Sequence, residues 1–387
     1  MCGIWAYIEL LKKTTNYSQL FADFMNLKPR GPDMTSFQII KNLSVGFHRL
    51  AIMDLAFHAN QPYILEDGDR TIVFVCNGEI YDFQELITKY DLPINNNSDC
   101  MTIPQLYLKF VKHNKTSAND IESFIKLFSH EIKGEFVFVL GEFNKDQTLK
   151  QVIIGRDMVG VRPLYVGYEK SEDLIDTMMF SSEIKGMLNY KGQVSEFEPG
   201  TILHYHFTDM NQIDYTKVHN FGTIYNVIPE DPSTFTNPLI KEAEFLKNVR
   251  ESIIASVKRR LEADVEIGFL LSGGLDSSLV AAISAKLLDK PIKTFCCGIL
   301  GTESTDIRYA KTVADHINSQ HTEVLFTIEE ALAIIPQVIR TIESYDVTSI
   351  RASVGQYMVS KYISTNTTVC IDQTYKYVEY NSTKFKL

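Results

Sequence analysis

Basic blocks are nearly absent from this 387-residue chain: the longest run is Lys258-Arg259-Arg260, and the net charge is −10. An acidic balance without a cationic surface argues against nucleic acid and against an anionic membrane as partners, and the short run suits the solvated end of a helix. The six cysteines, Cys2, Cys76, Cys100, Cys296, Cys297 and Cys370, include no CxxC pair and are too sparse for a disulfide scaffold. Zinc ribbons and secreted frameworks are thereby excluded, and a reducing compartment fits. No apolar stretch approaches the roughly 20 residues a membrane helix needs. The bases Lys12-Lys13 follow the first apolar residues, the reverse of a secretory signal. The expectation is a cytoplasmic protein of two domains.

What is present begins at position 2. In Met1-Cys2-Gly3-Ile4-Trp5, removal of one residue would leave a thiol beside a free amine. A thiolate is a strong nucleophile, and an α-amine titrating at about 7.7–8.0 can take up and return its proton without a distant histidine. Taken alone, Cys2 would pass as a small residue at a ragged start, so the rest of the chain decides.

The first half is strand-rich, with β-branched and aromatic runs at 4–11, 43–53, 71–80, 135–142, 151–157, 164–168 and 178–182, a helical period over 98–113, and another helix before 135. It reads as an α+β domain. Around 220–238 the composition turns to Pro, Thr, Asn and Asp, a linker signal, and a helical period starts near Leu239. Beyond it, strands at 266–271, 292–299 and 321–326 alternate with helices at 276–288 and 305–318, and helices continue to about Ser364. That alternation predicts βαβ units and a parallel sheet.

Two constellations carry chemistry. Leu271-Ser272-Gly273-Gly274-Leu275-Asp276-Ser277-Ser278 lies between an apolar strand and an amphipathic helix. Its glycines let backbone N–H groups approach an anion, its hydroxyls add donors, and the helix aims its positive end there: a phosphate cradle, with Asp276 able to hold Mg²⁺ against phosphate oxygens. It has neither the Walker lysine nor GxGxxG spacing. In the first half, His48-Arg49-Leu50-Ala51-Ile52-Met53-Asp54 is followed by Asn77-Gly78-Glu79-Ile80-Tyr81 and Ser98-Asp99-Cys100. Arg49 can clamp a carboxylate, Glu79 and Asp99 an ammonium, and Asn77 with the Gly78 N–H can form an oxyanion hole, which together describe an α-amino acid pocket. Each also has a bland explanation. Asn77-Gly78 by itself reads as a type I′ hairpin turn, Asp99 as a helix cap, Arg49 as a surface ion pair, and His48 as structural.

Met1-Cys2-Gly3-Ile4, Arg30-Gly31-Pro32-Asp33, His48-Arg49-Leu50, Asn77-Gly78-Glu79-Ile80-Tyr81, Gly155-Arg156-Asp157, Ser181-Ser182-Glu183, Glu198-Pro199-Gly200, the 272–278 element and the 345–353 segment stand in one order. In this the chain resembles the glutamine-hydrolysing asparagine synthetases, over roughly residues 1–365. The resemblance implies an N-terminal nucleophile hydrolase domain, an αββα sandwich, at 1–219, a linker at 220–238, and an α/β parallel-sheet domain of the PP-loop ATP pyrophosphatase type at 239–387. It makes Cys2 the nucleophile toward the glutamine side-chain amide. Arg49, Leu50, Ile52 and Met53 with Glu79 and Asp99 would hold the amino acid, and Asn77 and Gly78 the oxyanion. Leu271 and Cys297 would offer main-chain contacts to ATP, Ser272, Gly273, Gly274, Asp276 and Ser277 its pyrophosphate with Mg²⁺. Thr348 and Arg351 would lie on the loop facing aspartate. The implied substrates are glutamine, aspartate and ATP, joined through a glutamyl thioester and β-aspartyl-AMP, with ammonia passed internally. A homodimer is left open.

The chain departs from the family after the apolar start 367–371, where a second glycine-rich SGEG-type turn is expected and Asp372-Gln373-Thr374-Tyr375-Lys376-Tyr377 stands instead; no glycine follows Gly355. The second domain is therefore expected to be incomplete. Pro29 stands where the family usually has histidine. Three readings follow: aspartate amidation, glutamine hydrolysis alone, or an inactive regulatory remnant.

Overall fold

A computed structural model of the chain describes residues 1–11, 16–94, 97–112, 118–172, 174–208, 210, 212–222, 242–372 and 385–386. It divides into two compact units, Met1–Glu230 and Asp231–Leu387.

The first unit holds β1 (Gly3–Glu9), α1 (Tyr17–Met25), β2 (Met34–Ile40), β3 (Leu43–Arg49), β4 (Tyr63–Asp67), β5 (Arg70–Tyr81), α2 (Phe83–Tyr90), α3 (Thr102–Phe110), α4 (Ala118–His130), β6 (Lys133–Phe143), β7 (Leu149–Arg156), β8 (Tyr165–Ser171), β9 (Leu174–Ser181), β10 (Gln193–Glu196), β11 (Thr201–Phe207) and β12 (Ile213–Asn220). These form two six-stranded antiparallel sheets, ordered β10-β8-β9-β1-β3-β2 and β12-β11-β7-β6-β5-β4. Period-2 alternation assigns each side chain to a layer. On β5, Val73 and Val75 meet Ile4, Ala6 and Ile8 of β1 and Phe47 of β3 in the core between the sheets. Ile72, Phe74 and Cys76 of the same strand face the opposite way, against α2, α3 and α4. Beyond the other sheet, α1 packs Leu20 and Phe24 on Trp5. The layers thus run helix, sheet, sheet, helix. Each fully buried Phe, Ile or Val contributes about 1.5–3 kcal/mol, which makes this double-sided burial the main hold on β5.

Helix α1, absent from the sequence reading, starts where the Asn16 side chain accepts the Gln19 N–H at 3.2 Å. Strands β2, β4, β10, β11 and β12 were not anticipated either. Asn220, assigned to the start of the linker, pairs with Thr201 in β12, and 223–241, including Leu239, lie outside the described residues. The 98–113 helix is shorter than the periodicity suggested: a 3-10 turn at Asp99–Met101 leads into α3, which ends at Phe110. His113 lies outside the described residues.

In the second unit, α5 (Glu242–Arg260), β13 (Ile267–Leu270), α6 (Leu275–Leu288), β14 (Lys293–Ile299), α7 (Thr305–His316), β15 (Gln320–Phe326), α8 (Ile328–Ala333), α9 (Ile335–Ile342), α10 (Val347–Asn366), β16 (Cys370–Asp372) and β17 (Phe385–Lys386) follow in order. All strand pairs are parallel, in the order β15-β14-β13-β16-β17. The βαβ expectation holds. Asp372, which stands where the family's second glycine-rich turn would begin, closes β16 beside Phe269, and 373–384 lie outside the described residues. Thr348 and Arg351, expected on a loop, sit in the first turns of α10, where the Asp346 side chain caps the Ser349 N–H at 2.7 Å.

Candidate functional site

Cys2 sits immediately ahead of β1 and packs at the edge of the core between the sheets. Its Sγ accepts the Leu50 N–H at 3.3 Å and lies 3.6 Å from the Leu50 carbonyl. Burial pushes the thiol above its usual value; the terminal ammonium, the Leu50 N–H and Arg49 pull it back, and Glu79 adds to the rise. The residue's carbonyl is gripped by Arg30 Nε at 2.9 Å, and the same guanidinium meets Glu183 Oε1 at 2.9 Å with both side chains buried. Next along β1, Ile4 N donates to Ser182 Oγ at 3.0 Å, and Trp5 Nε1 to the Gly186 carbonyl at 2.9 Å. The start of the chain is thereby fixed to residues more than 170 positions away. Arg30, Ser182 and Glu183 entered the sequence reading only as letters of motifs; no local pattern announces a pairing across 153 residues.

Gly31 makes this approach feasible, since a Cβ there would lie 2.2 Å from the His48 carbonyl carbon. His48 itself is structural. Its Nε2 is 3.1 Å from the Phe24 carbonyl, its Nδ1 2.9 Å from Thr35 Oγ1, and burial pushes its pKa down to about 4.

Asn77 and Gly78 are not a hairpin turn. They lie inside β5, opposite Val137 and Phe136 of β6, because apolar residues on both faces of a twelve-residue strand outweigh a two-residue turn signal. On the far edge of β5 the Gln61 side chain bonds Cys76 at both polar atoms, and Asp99 Oδ2 accepts the Ile80 N–H at 2.6 Å, so two side chains bracket the Asn77–Glu79 stretch. At Gly78 a Cβ would come 2.5 Å from the Glu135 carbonyl oxygen. Asn77 is 1% exposed, and its Nδ2 has no hydrogen-bond partner. A buried orphan donor of this kind costs about 1–3 kcal/mol and calls for an acceptor from outside the fold.

Glu79 and Asp99 supply two buried carboxylates, and Leu50 and Ile52 buried apolar walls. Arg49 is buried and held by carbonyls of the loop after it: Nη1 to Ala56 at 2.8 Å, and Nη2 to Met53 at 3.4 Å and to Asp54. Asp33 Oδ2 fixes the Ala51 N–H at 2.8 Å. Arg49 and Glu79 both act on the Cys2 thiol, and a cationic group, two carboxylates and a buried amide donor are the complement an α-amino acid with a side-chain carbonyl would need.

In the second unit, Leu271 N donates to the Phe295 carbonyl at 2.8 Å and hands the chain to the Ser272–Ser277 loop. Ser272 Oγ is 3.0 Å from Ser277 Oγ and accepts the Gly274 N–H at 3.4 Å, while Ser277 Oγ donates to the Gly274 carbonyl at 3.2 Å. Gly273 has φ +77° and packs on α7. Asp276 stands exposed in the first turn of α6. Cys297 lies on the adjacent β14; its thiol donates to the Gly355 carbonyl at 3.3 Å, and burial pushes it up to about 11. It has no nucleophile's character. Among the described residues no group of three or more His, Cys, Asp and Glu side chains is placed to hold a metal ion. A divalent cation beside Asp276 would therefore take most of its ligands from phosphate oxygens and water, the usual habit of Mg²⁺. Exposed Thr348 and Arg351 belong to α10.

Comparison with known proteins matches residues 1–231 to the glutamine amidotransferase domain family and residues 248–372 to the asparagine synthase family. Glutamine-hydrolysing asparagine synthetase of Bos taurus is 34% identical over 390 residues, covering 95% of this chain and 64% of that protein. The Homo sapiens enzyme is 35% identical over the same shares, and a probable asparagine synthetase of Acanthamoeba polyphaga mimivirus 31% over 381 residues. This chain spans 64% of the length of these curated relatives. Among solved structures, an NH3-dependent NAD synthetase from Campylobacter jejuni aligns with 34% of this chain and 56% of that one, at 16% identity and a TM-score of 0.25.

Proposed function

Because the chain belongs to the glutamine amidotransferase domain family, we propose that its first unit, an N-terminal nucleophile hydrolase, releases ammonia from glutamine. Loss of Met1 would free the Cys2 amine. The amine takes the thiol proton, and the thiolate attacks the side-chain carbonyl carbon of glutamine. The carbonyl electrons move onto oxygen, where the Asn77 amide and the Gly78 N–H stabilise them. As the C–N bond breaks, the ammonium returns its proton to the departing nitrogen, and water then hydrolyses the thioester to glutamate. Arg49 uses three donors on its own loop and keeps others for the α-carboxylate. Glu79 and Asp99 face the α-ammonium, and Leu50, Ile52 and Met53 wall the pocket.

The observation that carries this reading is the orphan Nδ2 of Asn77, a donor with no role in the folded protein alone. Cys2→Ala should abolish glutamate release from L-glutamine; a Cys2→Ala protein working at the parent rate would refute the nucleophile assignment.

For the second unit we infer a PP-loop ATP-binding site that amidates aspartate to asparagine through β-aspartyl-AMP, with the Ser272–Ser277 loop and the α6 N-terminus against the pyrophosphate. Mg²⁺ would supply charge neutralisation there, held by Asp276 on the protein side. Leu271 and Cys297 would line the adenosine through their main chains, and Thr348 and Arg351 would reach toward aspartate. ATP- and aspartate-dependent pyrophosphate release tests this, and Asp276→Ala should remove it while sparing glutamine hydrolysis. A parent chain that hydrolyses glutamine without forming pyrophosphate would leave the glutaminase alone as the function.

A further inference from the structure

The two ends of the amino acid pocket are held by different segments: Arg49, the last residue of β3, by the loop that follows it, and Asp99 by the 3-10 turn before α3. Tyr63 touches both, donating to the Ala59 carbonyl at 3.1 Å and meeting Ser98 Oγ, and so does Asp54, which alone of the two also holds Arg49. Asp54, 8% exposed and held in the left-handed region at φ +47°, accepts the Arg49 Nη2 at its carbonyl. Its carboxylate reaches the other way. Oδ2 accepts the Asn97 N–H at 3.2 Å and meets His58 Nε2 at 3.0 Å, while Oδ1 accepts the Ala56 N–H at 3.2 Å. The Ala56 carbonyl in turn takes Arg49 Nη1. Two residues beyond Asn97, Asp99 is tied to β5 through Ile80, and between them Ser98 Oγ lies 2.6 Å from the Tyr63 hydroxyl.

We propose that Asp54 is a positioning residue that sets the separation between the carboxylate-binding arginine and the ammonium-binding aspartate, with His58 steadying its carboxylate from the solvent side. It touches no reacting atom. An α-amino acid presents its two charged groups on one carbon, so a clamp that reads both must hold its halves at a fixed span. Asp54 does so from one side chain and one carbonyl. Left-handed backbone at a residue other than glycine is uncommon and is tolerated best by Asn and Asp, which suits a residue kept there for its bonds. The selectivity this gives is for the free amino acid over a glutamine side chain within a peptide, where neither charged group is present.

The inference rests on the glutaminase reading, and the test separates the two. In Asp54→Asn the shape is kept, but an amide NH2 can stand where Oδ2 meets the Asn97 N–H. Binding that is equal in ground and transition states is lost as KM with kcat unchanged. The expected result, on the full chain with L-glutamine, is a KM higher by about 10-fold, equivalent to about 1.4 kcal/mol, with kcat within about twofold of the parent. His58→Ala, at a largely exposed side chain, should raise KM by about twofold to threefold and decides the matter if Asp54→Asn fails to fold. A parent-like KM in the folded variants, or a fall in kcat at constant KM, overturns the proposal, since lost folded protein lowers kcat alone. A parent chain releasing no glutamate overturns the glutaminase reading beneath it.

Discussion

Replacing Asn77 by Ala should separate stability from activity. In the folded protein its Nδ2 is buried without a partner, a state that costs about 1–3 kcal/mol relative to a solvated amide. The substitution removes that penalty and also some packing contacts of a small side chain, a loss of similar size and opposite sign. The net change in unfolding free energy should lie within about 1 kcal/mol of zero, where a typical buried polar truncation would be plainly destabilising. Catalysis should respond otherwise: loss of one oxyanion donor elsewhere lowers kcat by about 10²–10³-fold, or about 2.7–4 kcal/mol. Urea unfolding followed by tryptophan fluorescence reads the first quantity, since Trp5 is the single tryptophan and is buried in the same unit. Glutamate release under saturating glutamine reads the second. A variant destabilised by more than about 2 kcal/mol with near-parent kcat would show that Asn77 is bonded within the fold, and the oxyanion assignment would fall with it.

Gly273→Ala should damage only the second unit: at φ +77° its Cβ would lie 2.5 Å from Ala310 N and from Tyr309 Cβ. Overpacking and strain of about 1–3 kcal/mol should lower that unit's melting transition and remove ATP-dependent pyrophosphate release, with glutamine hydrolysis at the parent rate. Acid should weaken the first unit through His48 and His204, whose pKa values burial pushes from 6.5 down to about 4. Between those limits the unfolded chain binds protons that the folded one refuses. Stability is therefore complete above pH 6.5 and is lost as pH falls toward 4, by up to about 1.4 kcal/mol per pH unit and ring. Urea midpoints from pH 7.5 to 4.5 check this, and His48→Gln should flatten the decline.

The candidate site could be nominated from the sequence because its members sit in ordered, distinctive motifs: Cys2, Arg49, Asn77, Gly78, Glu79 and Asp99 all fall in the first unit, at or beside strands. The local meaning of some letters was not legible. Asn77-Gly78 has the composition of a tight turn, but pairing to β6 and burial of both faces of β5 decide its conformation, and neither is a property of the dipeptide. Strands β2 and β12 are mixed in polarity and largely solvated on one or both faces, so they lack the apolar runs that marked β5 and β6. The family resemblance put Thr348 and Arg351 on a loop, whereas the helical pattern running to about Ser364 already covered them; the Asp346 side chain caps the helix that holds both. The grip of Arg30 on the Cys2 carbonyl and the link from Asp54 to Asn97 depend on three-dimensional meetings that no spacing encodes.

The bracketing of β5 by β6 on one edge and by Gln61 and Asp99 on the other divides labour within the pocket. The atoms that would bear the reaction's charge belong to a strand, while Arg49's supports and the Asn97–Asp99 segment belong to connections between elements. Reactivity and discrimination can therefore change separately. Exchange of the 51–60 and 97–99 segments, sparing Leu50 whose main chain holds the thiol, could retarget it to other primary amides, with no need to rebuild the oxyanion site, and a small electrophile that reaches neither segment should still find Cys2. For a laboratory choosing where to diversify this protein, the sheet is the part to leave alone.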